Sequence, residues 1–391
     1  VRIAYVTETF PPEINGVALT AARTVRHLRA AGHAVQLIRP RRPGEPARRD
    51  AQEWRCAGGP IPMYPELRYG WATPAALRSL WHEDEGGPPD IVHVTTPGPL
   101  GWAALRAAQA EGLPASADFR TNFHTYCSHY GLGWLEPVVL GYLKRLHAMA
   151  ATNFVPTPEL AQCLAGHGFE HLQVLGRGVD ARLFSPERRD AALRRDWRAG
   201  PEQRVLLHVG RLAPEKNAGL ALQTFERLSA RRPGLRMVVV GDGPQRAKLE
   251  RAHPRARFVG MQTGTALARY YASADVFLFP SLTDTFGNVV LEALASGLAV
   301  AAFDTGAAAQ HMRNDLSGCL APPCKGLDAA DAFLDAAERA LDASLPDGLL
   351  RLEARLAATQ ADWAGVLHRF EQQLQQLALA GRTVPRYAAM A

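Results

Sequence analysis

At 391 residues the chain exceeds what one ordinary compact core organises and fits two domains of under 200 residues each. Its 47% apolar content is that of a globular protein, no low-complexity tract points to disorder, and no apolar run reaches the roughly 18 residues of a membrane span. The net charge of +6 is uneven: residues 1–78 hold twelve Arg against six Asp and Glu, and the remainder balances. That segment alone could meet anionic lipid, phosphate or nucleic acid.

The N-terminal VRIAYVTETF enters a strand pattern at once, with neither a charged leader nor a small-residue cleavage site, which predicts a cytoplasmic protein. Cys56, Cys127, Cys163, Cys319 and Cys324 form no CxxC pair, and this suits a reducing compartment. No Cys/His set completes a zinc site around Cys319 and Cys324, so no metal is expected.

Along the chain, short apolar runs at 2–7, 34–38, 90–95, 116–120 and 152–156 read as strands buried on both faces. The segments between them have helical period; in TAARTVRHLRAAG the stripe Ala21, Val25, Leu28 closes at Gly32. Residues 176–190, GRGVDARLFSPERRD, lose the period and read as a linker. The alternation then restarts, with strands at 204–210, 236–241, 257–260, 275–281 and 298–303. Residues 349–379 read as one long amphipathic helix carrying Trp363, Leu367, Phe370, Leu374 and Leu377. Two βαβ series, each starting afresh, predict an α/β protein of two doubly wound Rossmann-like parallel-sheet domains, 1–180 and 186–360.

In open sheets of this kind ligands sit beyond the carboxyl ends of the strands. The first such loop, TETFPPEINGVALTAAR, carries Gly16, which lets backbone approach a ligand, before a helix whose N–H groups suit an anion. An ordinary glycine-containing turn explains it equally well in isolation. GRLAPEKN (210–217) offers Arg211 and Lys216, and a diphosphate needs at least two cations. Lys216 is one of four lysines, which favours a phosphate role over a merely solvated basic loop. GDGPQR has Arg246 where a dinucleotide fingerprint has its third glycine, so it reads as a tight turn.

The most informative stretch is PSLTDTFGNVVLEALASGLAV (280–300). Asp284 precedes a helix opened by Gly287, and Glu292 lies about a turn and a half inside it. The N–H groups of Phe286, Gly287, Asn288 and Val289 would face a negative group or sugar hydroxyls. Two carboxylates could also form a hydrolase pair, but that reading leaves the upstream cations unexplained. His124, in NFHTYC just past a strand end, is a structural or a catalytic histidine on this evidence.

With these residues assembled, the chain resembles the GT-B glycosyltransferases of family 4 from residue 1 to about 380. It is most similar to the branch holding sulfoquinovosyl diacylglycerol synthases and GDP-mannose-dependent mannosyltransferases. TETFPPEINGVA, PDIVHVTTPGPLG, GRGVD and FDTGAAAQH carry that similarity. The resemblance implies two domains across a cleft, the first for the acceptor and the second for the nucleotide sugar, with the C-terminal helix (about 360–385) packing back on the first. It places Gly16 against the donor, His124 at the transferred sugar, and Arg211 and Lys216 on the diphosphate. Asp284 then takes sugar hydroxyls, Glu292 the ribose, and the backbone near Met261 the base. The family usually has Glu where Asp284 stands, so the carboxylate is drawn back by about one methylene.

A retaining, metal-independent, front-face transfer is implied, needing no cofactor beyond a GDP- or UDP-sugar donor. The acceptor would be a hydroxyl, with diacylglycerol the lipid example. An epimerase or hydrolase, or a silent nucleotide-sugar binding protein, would share the scaffold. A nucleic-acid partner is not expected, because no stripe interleaves basic and aromatic residues. Peripheral docking on an anionic membrane could use Arg41, Arg42, Arg48 and Arg49, with Met63, Tyr64, Leu67, Tyr69 and Trp71 inserted. The alternative is aromatics packed on the core beside solvated arginines.

Overall fold

The computed structural model describes residues 1–391 except 14, 62–63, 84–85, 121–135, 283, 285, 324–326, 346–347 and 384–391. His124 therefore lies outside the described residues, as do Met63, Cys127 and Cys324. The described chain forms two compact units, one of residues 1–176 with the C-terminal segment from Leu367, the other of 177–366.

The first unit is built on an eight-stranded sheet: β1 (Arg2–Val6), β2 (Ala34–Pro40), β3 (Glu53–Ile61), β4 (Tyr64–Trp71), β5 (Ile91–Val94), β6 (Ala115–Asp118), β7 (Thr152–Val155) and β8 (Leu172–Val174). Their order is β4-β3-β2-β1-β5-β6-β7-β8, parallel throughout except for the β3–β4 pair. β1 shows why the strands read as continuous apolar runs. Ala4 and Val6 enter one core with Leu77, Trp81, Val92, Leu100 and Ala104. Ile3 and Tyr5 enter another with Val25, Leu28, Phe154, Phe370 and Leu374. A strand covered on both faces needs apolar residues at every position.

The second unit has six parallel strands: β9 (Val205–Val209), β10 (Arg236–Val240), β11 (Arg257–Phe258), β12 (Val276–Phe279), β13 (Ala299–Phe303) and β14 (Cys319–Ala321), in the order β11-β10-β9-β12-β13-β14. β9 likewise divides its apolar side chains between two cores: Val205, Leu207 and Val209 face one, Leu206 the other. In each sheet the order reverses at one strand. β1 lies between β2 and β5, and β9 between β10 and β12. These two places are the topological switch points where open α/β sheets bind ligands.

Two expectations need correction. Strands β3, β4, β8 and β14 lie outside the apolar runs that read as strands. β3 (EWRCAGGPI) and β4 form an edge hairpin with glycine and proline, while β8 and β14 have three residues each, so none presents a long apolar run. The long C-terminal helix is in fact two, Leu349–Gln360 and Trp363–Thr383. At the break the N–H of Val179 donates to Ala361 O (2.8 Å), and Asp362 Oδ1 accepts the N–H of Ala364 (2.9 Å). The carbonyl and carboxyl that would continue or interrupt the helix are thus used by a strand-like contact and a cap.

Candidate functional site

At the switch point of the second unit three loops meet. The loop after β9 holds Gly210–Asn217, and the one after β10 begins with Gly241-Asp242-Gly243. The two are laced by backbone bonds: Gly210 N–H to Val240 O (3.0 Å), Leu212 N–H to Asp242 O (2.9 Å) and Gln245 N–H to Leu212 O (2.9 Å). Gly241 has φ 138°, and a Cβ there would stand 1.9 Å from Gly210 O. The GDGPQR glycine therefore serves close packing of this tight turn against the neighbouring loop.

The third loop follows β12. Asn217, in left-handed conformation (φ 53°), donates from Nδ2 to Pro280 O (3.3 Å), and Ser281 Oγ donates to Glu215 O (3.4 Å). With the loops so joined, Lys216 Nζ forms an ion pair with Asp284 Oδ1, two residues 68 positions apart in sequence. Arg211 is half-buried on the same loop as Lys216. Gly287 (φ 91°) caps the helix Asn288–Ala295. Its first-turn N–H groups, at Asn288 and Val289, have no partner within the helix by geometry. Phe286 is buried against His311 (ring centroids 5.9 Å), and its carbonyl accepts the N–H of Ala307 (2.6 Å).

Glu292 lies half-buried farther along that helix, beside Tyr271. Burial first, and then the Glu292 carboxylate, raise the Tyr271 hydroxyl well above its ordinary value. Met261, just past β11, is exposed, which is compatible with backbone rather than side-chain use. The structure thus gathers Arg211, Lys216, Asp284, Phe286, Gly287, Asn288, Val289 and Glu292 around the carboxyl ends of β9 and β12. The arrangement offers two cations and helix N-terminal N–H groups to an anion, and two carboxylates to hydroxyls.

Gly16 belongs to the first unit, where it opens the helix Gly16–Ala30. Asn15 Oδ1 caps that helix by accepting the N–H of Ala18 (2.8 Å), and Asn15 Nδ2 donates to Thr9 Oγ1 (2.8 Å). Thr9 donates in turn to Glu13, which pairs with Arg42 (2.9 Å).

Two participants escaped sequence reasoning. His208, inside β9, donates from Nδ1 to Leu278 O (3.0 Å) and is kept neutral by burial. Its Nε2, with no hydrogen bond among the described residues, lies 3.7 Å from where a Cβ on Gly210 would stand, under the cationic loop. A histidine within an apolar strand carries no signal of such a place. Gly306 (φ 57°) lets the chain after β13 pass Phe286, for a Cβ there would be 2.6 Å from Phe286 O.

The basic segment is also altered by its partners. Arg42 pairs with Glu13, Arg48 with Asp50 and Glu53, and Arg49 with Glu83. Of the four arginines only Arg41 is exposed without an ion pair among the described residues. Tyr69 and Trp71 are exposed on β4.

Comparison with known proteins shows the family and the fold. Residues 14–183 match the family model of Glycosyltransferase Family 4, and residues 203–343 that of Glycosyl transferases group 1. A GDP-mannose-dependent alpha-mannosyltransferase of Mycolicibacterium smegmatis is 39% identical over 313 residues, 78% of this chain and 80% of that one. A sulfoquinovosyl transferase of Arabidopsis thaliana is 33% identical over 59% of this chain and 46% of its own. The structure of sucrose-phosphate synthase from Thermosynechococcus elongatus superposes with a TM-score of 0.77 at 20% identity, covering 97% of this chain and 99% of that one. That last likeness is one of fold, the GT-B arrangement of two parallel-sheet domains.

Proposed function

From the premise that this chain belongs to glycosyltransferase family 4 and moves a glycosyl group from a nucleotide sugar, we propose that the donor is GDP-mannose, with a UDP-hexose as the competing choice. Transfer proceeds with retention of anomeric configuration, without a metal, to a hydroxyl of a lipid acceptor of the diacylglycerol type. The observation that carries this reading is the Lys216–Asp284 pair, with Arg211 on the same loop, at the switch point of the second unit. Identity to a GDP-mannose-dependent relative supports the choice of base and sugar.

In this reading Arg211, Lys216 and the N–H groups from Gly287 onward take the diphosphate and stabilise it as it leaves. Asp284 holds sugar hydroxyls, Glu292 the ribose. The bond from the anomeric carbon to the phosphate oxygen breaks, and a bond to the acceptor oxygen forms on the same face. The acceptor proton passes to the departing phosphate. The first unit receives the acceptor, and the enzyme works in the cytoplasm, docked peripherally through Tyr69, Trp71 and Arg41.

The test is transfer from GDP-mannose and from UDP-glucose to diacylglycerol in mixed micelles, with and without EDTA, reading the product's anomeric coupling by NMR. An α-mannoside formed equally in EDTA is expected. A β-product would overturn retention, activity abolished by EDTA would overturn metal independence, and use of UDP-glucose alone would overturn the donor.

A further inference from the structure

His208 sits where β9 parts from its neighbour β12. The register of β9 with β12 ends at Leu207–Phe277, whereas its register with β10 runs on through Val209–Val240. At the parting the imidazole takes over from the backbone. Its Nδ1 donates to Leu278 O (3.0 Å) and ties the two strands just before the Lys216 and Asp284 loops leave them. A carbonyl can only accept, so the ring proton is on Nδ1 and Nε2 carries a lone pair. The side chain is 1% exposed, and burial holds the ring neutral.

Nε2 is therefore a fixed acceptor, buried and without a hydrogen bond among the described residues. An acceptor left so is desolvated with nothing in return. The space beside it is clear of side chain. A Cβ on Gly210 would stand 3.7 Å from Nε2, and no other atom of the described residues, chain neighbours apart, lies within 4 Å of that position. Two charged groups act on the ring: the Lys216 ammonium lowers its proton affinity and the Asp284 carboxylate raises it. Of these, Lys216 is the donor. Its ammonium has three N–H groups, and Asp284 Oδ1 takes one.

We propose that His208 is a positioning residue of the donor site: its Nε2 accepts one N–H of Lys216 when a nucleoside diphosphate is bound, fixing the ammonium between the imidazole, Asp284 and a phosphate oxygen. Three acceptors in different directions then use all three N–H groups and set where the charge stands. The Nδ1 bond to Leu278 O keeps the acceptor aimed, and a neutral ring adds no repulsion against Lys216. This inference rests on the reading that Lys216 takes the diphosphate.

Two variants separate the nitrogens. His208→Asn keeps a side-chain N–H for Leu278 O and lacks the outer acceptor. His208→Gln reaches the place of Nε2 with an acceptor and lacks the inner donor. Calorimetry with GDP should find affinity roughly tenfold lower in His208→Asn, the scale of one hydrogen bond to a charged group, and near the parent's in His208→Gln. A residue that only ties β9 to β12 would rank the two the other way. In a Lys216→Ala background His208→Asn should change GDP affinity no further. The parent chain, labelled with 15N-histidine, gives a second readout that does not depend on how the His208 variants fold. The Nε2 signal of His208 should move toward the hydrogen-bonded position on adding GDP, and stay in place when GDP is added to Lys216→Ala. Equal GDP affinity in His208→Asn and the parent, the same loss in the absence of Lys216, or an Nε2 signal indifferent to GDP overturns the role. Unchanged GDP affinity in Lys216→Ala alone would instead sink the diphosphate reading, a separately visible result.

Discussion

Lys216 Nζ holds Asp284 Oδ1 in an ion pair whose two side chains are each 21% exposed, although one follows β9 and the other β12. The cation proposed for the phosphates and the carboxylate proposed for sugar hydroxyls thus start from each other. A diphosphate that draws on Lys216 must share it with Asp284 or take it away.

Lys216→Ala should weaken binding of a nucleoside diphosphate by about 1.5–3 kcal/mol, the range for hydrogen bonds to charged groups. The loss should sit toward the upper end, because the Asp284 charge is then left uncompensated near the incoming phosphates. Lys216→Arg keeps the charge and should recover part of it. Calorimetry that finds the same affinity in Lys216→Ala and the parent rules the role out.

Asp284→Asn removes a competitor for Lys216 without removing the cation. Free nucleoside diphosphate should bind as well as before or better, while kcat/KM for transfer falls by an amount equivalent to roughly 1.5–3 kcal/mol. Glu292→Gln should instead weaken free nucleotide. Equal effects of the two substitutions on nucleotide affinity would refute the division of labour.

Gly306→Ala places a Cβ 2.6 Å from Phe286 O at a φ of 57°. The left-handed conformation alone costs about 1–2 kcal/mol for a residue with a Cβ. The chain must also move off Phe286, which carries with it the loop between Asp284 and the helix cap. Lower resistance to urea together with weaker nucleotide binding is expected. Full stability with unchanged binding would mean that the contact is slack.

Glu8 should make stability depend on pH. Burial raises its carboxyl from 4.5 to about 7, against the N–H groups of Leu100 and Gly70, which lower it. The folded state therefore holds the proton more tightly than the unfolded one. The stability this provides is fully present below 4.5 and declines as pH rises to about 7. The gap amounts to roughly 3 kcal/mol. Glu8→Gln, which cannot ionise, should melt at a higher temperature than the parent at pH 8 and close to it at pH 4.5. A difference of equal size at both values would place the effect in packing rather than ionisation.

Membrane docking through the β4 face should depend on the aromatic side chains more than on the paired arginines. Trp71→Ala should reduce co-sedimentation with anionic vesicles. Arg48→Gln with Arg49→Gln should change it little, since those guanidinium groups already face Glu53, Asp50 and Glu83. The opposite ranking would assign binding to charge.

Most of the architecture was legible because strands covered on both faces must be largely apolar, and β1, β2, β5, β9, β10, β12 and β13 are. Asp284, Arg211 and Lys216 could be singled out because charged residues just past strand ends have no packing reason to be there, and Glu292 by its place in the helix that Gly287 opens. The hairpin of β3 and β4 could not, since an edge pair with one face open to water has no such pattern. Nor could the break at Ala361, where a contact from Val179 ends a helix whose apolar period runs on through it. Which groups touch was decided by tertiary structure alone. Lys216 meets Asp284 across 68 residues, His208 turns its Nε2 under Gly210, and Glu8 gathers N–H groups from Gly70 and Leu100. Periodicity reports only which face of an element is buried; the partner across the sheet is set by strand order and loop closure, which no local pattern encodes.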